Sequence, residues 1–406
     1  MSEPAKRDSP GVVKVVTPLD QTACLQDLGY IPGGEGGYQY RMIEAMSQTD
    51  QTAVLLLAHG TPDVLGEMAE YLAKVTGGRA LPHEVVEELQ HRYAQIGLRE
   101  TPGAEAPPLT KWTLTQAHLL EQALAAAGTP LRVYTGMRNW HPYIADVVRQ
   151  IRADGITRLI AVCLAPQNSR TSIGLYRRAL MSALESAAAD SDPAAAEPIQ
   201  LTFVEEWPEE PALIQAFANR LIDCYSAIEA GAPHLAPEMW DGKLQSHPAA
   251  LPVLFTAHSV PCRTIMTGEA SVAGARPGTP MQATPDPYPV EAKRTASLVF
   301  ASAARQLPNL NTWFFAFQSQ GVAGGPWIGP TVEDTLAAIR DEGHTGVVLQ
   351  PIGFLCDHVE ILYDIDIAFT QTARTLGLRL YRPESLNDSP LLAEALADVV
   401  TSNLKR

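Results

Sequence analysis

PIGFLCDHVEILYDID, residues 351–366, runs from an apolar strand end into a helical pattern. In such a helix Glu360 and Asp364 stand four residues apart and share a face. Their neighbours Val359, Ile361, Leu362, Ile365 and Ile367 make the segment largely apolar, and acidic groups seldom enter such a segment without a partner. The two carboxylates therefore address something, most simply a cation or a proton. Asp357 is placed to cap the helix, and His358 reads as either core or supporting residue. A second stretch, VLFTAHSVP at 253–261, sets His258 directly after another apolar strand. Imidazole titrates near neutrality and binds borderline cations, so His258 is a candidate acid–base group or metal ligand facing the carboxylates across a cleft. A strand-end histidine bonded to its own loop is the plainer alternative.

Outward from these stretches, short apolar strands alternate with helical patterns from Thr52 to the C-terminus. That alternation predicts an α/β fold with parallel sheets covered on both faces and a ligand site beyond the carboxyl ends of the strands. LLLAHGTP (55–62) and LFTAHSVP (254–261) each follow a strand with Ala-His, a small residue and a proline. The echo points to two similar halves, each delivering a histidine, His59 or His258, at a strand end. The expected division is a partly ordered extension over 1–51, one domain over 52–195, and a second over 196–375 that carries the metal-site residues. A strand and helix over 376–406, packing back on the first domain, would complete the chain.

With 406 residues, two domains are the default, and 46% hydrophobic against 18% charged residues is a globular composition. A net charge of -15 excludes a general nucleic-acid binder, which needs a basic face. Cysteines at 24, 163, 224, 262 and 356 form no C-x-x-C pair, which excludes zinc-ribbon and thioredoxin readings and suits a reducing compartment. No apolar run is long enough for a transmembrane segment, and the first residues lack a signal-peptide core, so a cytoplasmic location is expected.

Other strand ends supply polar and aromatic groups. In GMRNWHPY (136–143), Arg138 can fork onto a carboxylate. LAPQNSRTSIGLY (164–176) offers Ser169, Arg170, Ser172 and Tyr176, while Arg79, Arg92 and Tyr93 lie on or beside the early helices. Each reads singly as a surface residue; together they are candidates for holding a flat, acidic ligand. FQSQGVAGGPWIGP (317–330) forms a rigid loop that presents Trp327 as a wall.

AHGTPD, GMRNWHPY, LAPQNSRTSIGLY, TAHSVP, DPYP, FQSQ…PWIGP and PIGFLCDHVEILYDID occur in this order, and together they resemble the ferrochelatase family from about residue 52 onward. LAPQNSRTSIGLY and the pattern over residues 78–97 look more like its bacterial coproporphyrin III branch. The resemblance implies two Rossmann-like, chelatase-type domains enclosing a porphyrin cleft, and a lyase that inserts Fe2+ into coproporphyrin III, or protoporphyrin IX, in haem biosynthesis. It implies His258 as the metal-site histidine, Glu360 as its carboxylate partner and Asp364 in an acidic track. It places Arg92, Tyr176 and Arg138 at the porphyrin, with Arg79, Tyr93, Ser169 and Trp327 as further contacts. His59 stands where that branch commonly has tyrosine, which makes it a candidate ligand on the opposite face of the ring. Ala368 replaces the family's next acid and shortens the track. These departures keep open a cobalt or nickel chelatase acting on another tetrapyrrole, and a non-catalytic haem-binding protein is the alternative outside enzymes. Iron is then a substrate, no resident cofactor is required, and the absence of cysteine after Cys356 predicts no iron–sulfur cluster. The expected partners are the porphyrin, the haem product and neighbouring haem-pathway enzymes.

Overall fold

A computed structural model describes residues 51–189, 198–231, 251–272, 281–321 and 326–404. The expectations for the extension before Gln51, for the domain boundary at 195–196 and for the glycines within the 317–330 loop fall outside the described residues.

Eight strands form two four-stranded parallel sheets. They are β1 Thr52–Ala58, β2 Arg132–Met137, β3 Arg158–Cys163 and β4 Gln200–Val204, then β5 Val253–His258, β6 Trp313–Gln318, β7 Gly346–Pro351 and β8 Arg379–Tyr381. The spatial orders are β2-β1-β3-β4 and β6-β5-β7-β8, so the second sheet repeats the topology of the first. β1 and β5 occupy equivalent central places, and the Ala-His echo is the sequence trace of that equivalence. This is the expected α/β architecture of paired parallel sheets.

Alternation along each central strand explains how both faces are covered. Val54 and Leu56 of β1 join Val253 and Phe255 of β5 in one large core, while Ala53, Leu55 and Leu57 point to a second core under helices Ile144–Ala153 and Ile173–Ala189. Leu254 of β5 turns outward to a third core with Leu336 and Ile339 of helix Val332–Asp341. Helices Pro108–Ala126, Pro211–Glu229, Tyr288–Ala304 and Pro390–Leu404 contribute to the shared core. The tail from residue 376 divides: β8 pairs with β7, and the final helix enters the shared core, where Leu404 O accepts from Arg158 Nη2 at 3.2 Å.

The expected helix that carries Glu360 and Asp364 is interrupted. Residues Val359–Leu362 form one α-turn, Asp364–Phe369 are wound as π-helix, and Thr370–Thr375 return to α. Asp357 is not its cap. His358 occupies that position, and the Asp357 carboxylate turns to Ser385 Oγ at 2.6 Å and Asn387 Nδ2 at 3.0 Å. Side-chain donors in the following loop outcompete the few free amides of so short a helix.

Gly60, directly after His59, has φ +87°, and a Cβ there would lie 2.8 Å from Trp140 N. Gly60→Ala is therefore expected to destabilise the protein by about 1–2 kcal/mol from the left-handed backbone alone, with the clash adding to it. Urea unfolding followed by circular dichroism would measure it; an unchanged midpoint would show that the turn relaxes freely.

Candidate active site

β5 and β7 are neighbours, so their carboxyl ends lie side by side. His258 closes β5, and Glu360 follows β7 by a short loop. Their side chains meet directly, with His258 Nε2 3.4 Å from Glu360 Oε1. The expected gap between imidazole and carboxylate is thus absent: both groups belong to the second half of the chain. His358 Nε2 lies 3.9 Å from the other oxygen of Glu360 and bonds Cys356 O through Nδ1 at 2.9 Å. Phe354 packs against both imidazoles, at ring separations of 6.4 Å from His258 and 4.7 Å from His358. Gln318 Nε2 donates to Glu360 O at 2.8 Å and fixes the backbone that carries the carboxylate.

Two opposing influences set the protonation of the pair. Burial alone would pull the His258 pKa down, but the charge and hydrogen bond of Glu360, with the Ser259 carbonyl and Asp364, raise it to about 9. Burial pushes Glu360 up, and His258 and His358 override it, holding the carboxyl well below its usual range. The metal-free pair is therefore imidazolium and carboxylate at neutral pH, so His258 must shed a proton before it can serve as a base.

Asp364 extends the acidic surface. Its Oδ2 accepts from Ser319 Oγ at 2.5 Å, and its Oδ1 lies 4.0 Å from Arg92 Nη1. Burial and the Glu360 charge raise its pKa to about 6, against the lowering influence of Ser319 and Arg92. Ser319 has φ +60°, a conformation costly for a non-glycine residue, and its hydroxyl reaches Asp364 from there. The Arg92 guanidinium stacks on the Tyr363 ring at 5.1 Å and bonds Glu88 at 2.9 Å. A helix of the first half thus supplies a cation beside the acids of the second.

His59 is the counterpart of His258 at the end of β1. Asn139 Nδ2 donates to its Nε2 at 2.9 Å, which places the proton on Nδ1, facing Gly60 O at 3.1 Å. His258 likewise directs Nδ1 at the carbonyl of its next residue, Ser259. Burial, then the nearby Arg138 charge, lowers the His59 pKa to about 4, so this imidazole is neutral. The Glu360 charge acts on His59, Tyr71, Tyr93 and Tyr176, which gathers these first-half groups around the same carboxylate.

The remaining candidates divide. Arg138 stacks over the Tyr176 ring at 5.8 Å, and its buried Nε has no hydrogen-bond partner among the described residues. A half-buried guanidinium with an unanswered Nε donor fits an anionic ligand group. Trp327 sits with its ring 6.5 Å from His258. Tyr93 is packed among Tyr71 and Trp140, with its hydroxyl answered by Tyr71 and Thr61. Ser169 is 1% exposed and bonds Thr171 at 2.9 Å within its own loop. Arg79 is exposed in the turn after helix Met68–Val75, and among the described residues no hydrogen bond or ion pair joins its side chain to the site. Arg170 instead ties the two halves together, through Gln282 Oε1 at 2.7 Å and Thr284 O at 2.7 Å. Tyr71, Asn139, Ser319 and Phe354 also adjoin the candidate site, and sequence reasoning did not single them out. Tyr71 reads from sequence as one more apolar helix position, although its hydroxyl lies 3.2 Å from His59 Nδ1.

The arrangement can hold a cation at paired acids, exchange protons at an imidazole, and present a second, neutral imidazole nearby. Among the described residues no helix is long and apolar enough to cross a membrane. The ferrochelatase family model matches residues 51–404. A protein named ferrochelatase from Acidobacterium capsulatum is 51% identical over 360 residues, covering 88% of this chain and 96% of that one. One named coproporphyrin III ferrochelatase from Geobacillus thermodenitrificans is 30% identical over 356 residues, covering 87% and 96%. The solved sirohydrochlorin chelatase SirB from Bacillus subtilis subspecies spizizenii, in complex with cobalt, aligns over 87% of this chain and 95% of that one, with 12% identity and a TM-score of 0.44. This chain belongs to the ferrochelatase family, the lyases that insert Fe2+ into a porphyrin in haem synthesis.

Proposed function

We propose that the chain inserts Fe2+ into coproporphyrin III, with His258 as proton acceptor and Glu360 and Asp364 as the groups that receive the metal. The observation that carries the reading is the contact of His258 Nε2 with Glu360 Oε1 at 3.4 Å, with Asp364 and its Ser319 and Arg92 partners alongside. An arriving divalent cation competes with the imidazolium for Glu360. As the carboxylate turns to the metal, His258 loses the charge that held its proton, releases it to solvent water, to which its side chain is 36% exposed, and as neutral imidazole accepts a proton from a pyrrole N–H. His258 passes that proton to solvent water as well and then accepts the second pyrrole proton. Iron is a substrate here, and the reaction draws on no resident cofactor or iron–sulfur cluster.

Arg138, Tyr176 and Trp327 form the wall against which the macrocycle rests in this reading, with Arg138 answering one of its carboxylates. His59, neutral, would address the metal from the other face of the ring by exchanging the Asn139 hydrogen bond at Nε2 for the cation. Arg92 neutralises the entry track. The two domains divide near residues 195 and 375, the location is the cytoplasm, and the haem product passes to a protein that consumes it.

Purified protein given Fe2+ anaerobically with coproporphyrin III or protoporphyrin IX, and followed by absorption, is expected to turn over both with the higher kcat/KM for coproporphyrin III. A preference for protoporphyrin IX would overturn the porphyrin assignment. Insertion of Co2+ or Ni2+ but not Fe2+ would overturn the metal.

A further inference from the structure

The segment that carries His358, Glu360 and Asp364 is irregular, a single α-turn followed by π-helix, and too short to hold its own geometry by backbone bonds. Its two ends converge on one buried guanidinium. Arg382, 4% exposed, grips Asp366 in a bidentate fork, Nε to Oδ1 at 2.6 Å and Nη2 to Oδ2 at 2.9 Å. Its Nη1 lies 3.4 Å from Asp357 Oδ1 and donates to Pro383 O at 3.2 Å and Ser385 Oγ at 3.3 Å. Asp357 and Asp366 bracket the acidic segment, one immediately before His358 and the other two residues after Asp364.

The staple is anchored beyond the segment. Asn387 exchanges two hydrogen bonds with Asp357: Asp357 N donates to Asn387 Oδ1 at 2.9 Å, and Asn387 Nδ2 donates to Asp357 Oδ2 at 3.0 Å. Gln116, buried on helix Pro108–Ala126 of the first half, donates to Asn387 O at 3.0 Å. Among the described residues, no hydrogen bond or ion pair joins Arg382 to His258 or Glu360. A guanidinium is suited to the task because its planar fork meets one carboxylate in fixed geometry while leaving donors for a second.

We propose that Arg382 is a positioning residue for metal insertion: by clamping Asp357 and Asp366 it sets where Glu360 and Asp364 stand relative to His258. The inference rests on the reading of those two acids as the metal-receiving groups. Lysine cannot reproduce the fork, so Arg382→Lys keeps the charge and releases the geometry. Asp366→Asn loosens the same clamp from its other side with almost no change of shape, and it carries the test where the lysine variant folds poorly.

In folded Arg382→Lys and Asp366→Asn, kcat/KM for Fe2+ is expected to fall about 10–100-fold, the range for supporting partners of metal-handling groups. The dissociation constant for coproporphyrin III, read by fluorescence quenching on the same preparations, is expected to stay at the wild-type value. In a Glu360→Gln background Arg382→Lys is expected to add little, because the group it positions is already disabled. Unchanged Fe2+ kinetics in either folded variant would overturn the inference, as would equal losses in porphyrin binding or effects that multiply fully with Glu360→Gln. If Glu360→Gln itself keeps wild-type activity, the reading of the site fails instead.

Discussion

Replacing His258 with alanine is expected to lower the rate of Fe2+ insertion by about 10²–10⁴-fold, the range for removal of a positioned general base. Coproporphyrin III is expected to bind this variant as it binds the wild type, because in the proposed reading Arg138 and Tyr176, which pack on each other and not on the imidazole, carry the ring. The reason lies in the second sheet. His258 ends the central strand, Tyr288 Oη donates to its backbone oxygen at 2.9 Å, and Nδ1 faces Ser259 O. The ring is thereby left with one atom, Nε2, for chemistry. The neighbouring imidazoles are poorer acceptors: His59 already accepts from Asn139, and His358 Nε2 stands farther from Glu360, at 3.9 Å against 3.4 Å for His258. Stopped-flow absorption would give the insertion rate, and fluorescence quenching the porphyrin affinity. Loss of both together would make His258 a structural residue. Exogenous imidazole offers a further check, since restoring part of the rate in the cavity of the alanine variant identifies a missing proton acceptor.

Much of this was legible before any coordinates. The alternation of strands and helices implies parallel sheets because a parallel pair needs a covering crossover, and each central strand here is buried on both faces, as Ala53–Leu57 and Val253–Ala257 are. The Ala-His echo located two equivalent strand ends because the same topology was used twice. What sequence spacing did not reveal has a common cause, which is contact between groups remote along the chain. A period of 3.6 residues places Glu360 and Asp364 on one face but says nothing of the π-turn that begins at Asp364. That turn is held by Arg382, sixteen residues beyond Asp366. Nor does local pattern give the direct contact of His258 with Glu360, which follows from the adjacency of β5 and β7. Ser169 looked like a polar contact because its loop is rich in hydrogen-bonding types, yet its hydroxyl closes that loop. Arg79 and Arg92 were indistinguishable as helix-side cations; only Arg92 reaches the acids, because its helix packs its Tyr93 face toward the site.

Glu360→Gln is expected to lower kcat/KM for Fe2+ by about 10²-fold or more, the scale of a lost acid–base or proton-accepting group, and to change the charge on His258 before any metal arrives. In the metal-free wild type the imidazole keeps its proton to about pH 9, against an ordinary value of 6.5, despite burial that works the other way. The Glu360 charge is the largest of the raising influences. Removing it leaves burial less opposed, so the His258 titration in Glu360→Gln is expected to move down from about 9. The sign of the stability effect follows. A raised His258 value contributes stability that is complete below 6.5 and is lost as pH climbs through about 9. A lowered Glu360 value contributes stability present above 4.5 and lost as pH falls through its depressed value. The wild type should therefore lose stability between about pH 6.5 and 9, and Glu360→Gln should lack that decline. Imidazole titration by NMR and urea midpoints across the same pH series measure the two effects on one preparation. An imidazole in the glutamine variant that still titrates near 9 would mean that Asp364 or the Ser259 carbonyl holds the proton, and then cation binding at Glu360 could not be what turns His258 into a base. Unaltered Fe2+ kinetics would remove Glu360 from the metal's path altogether.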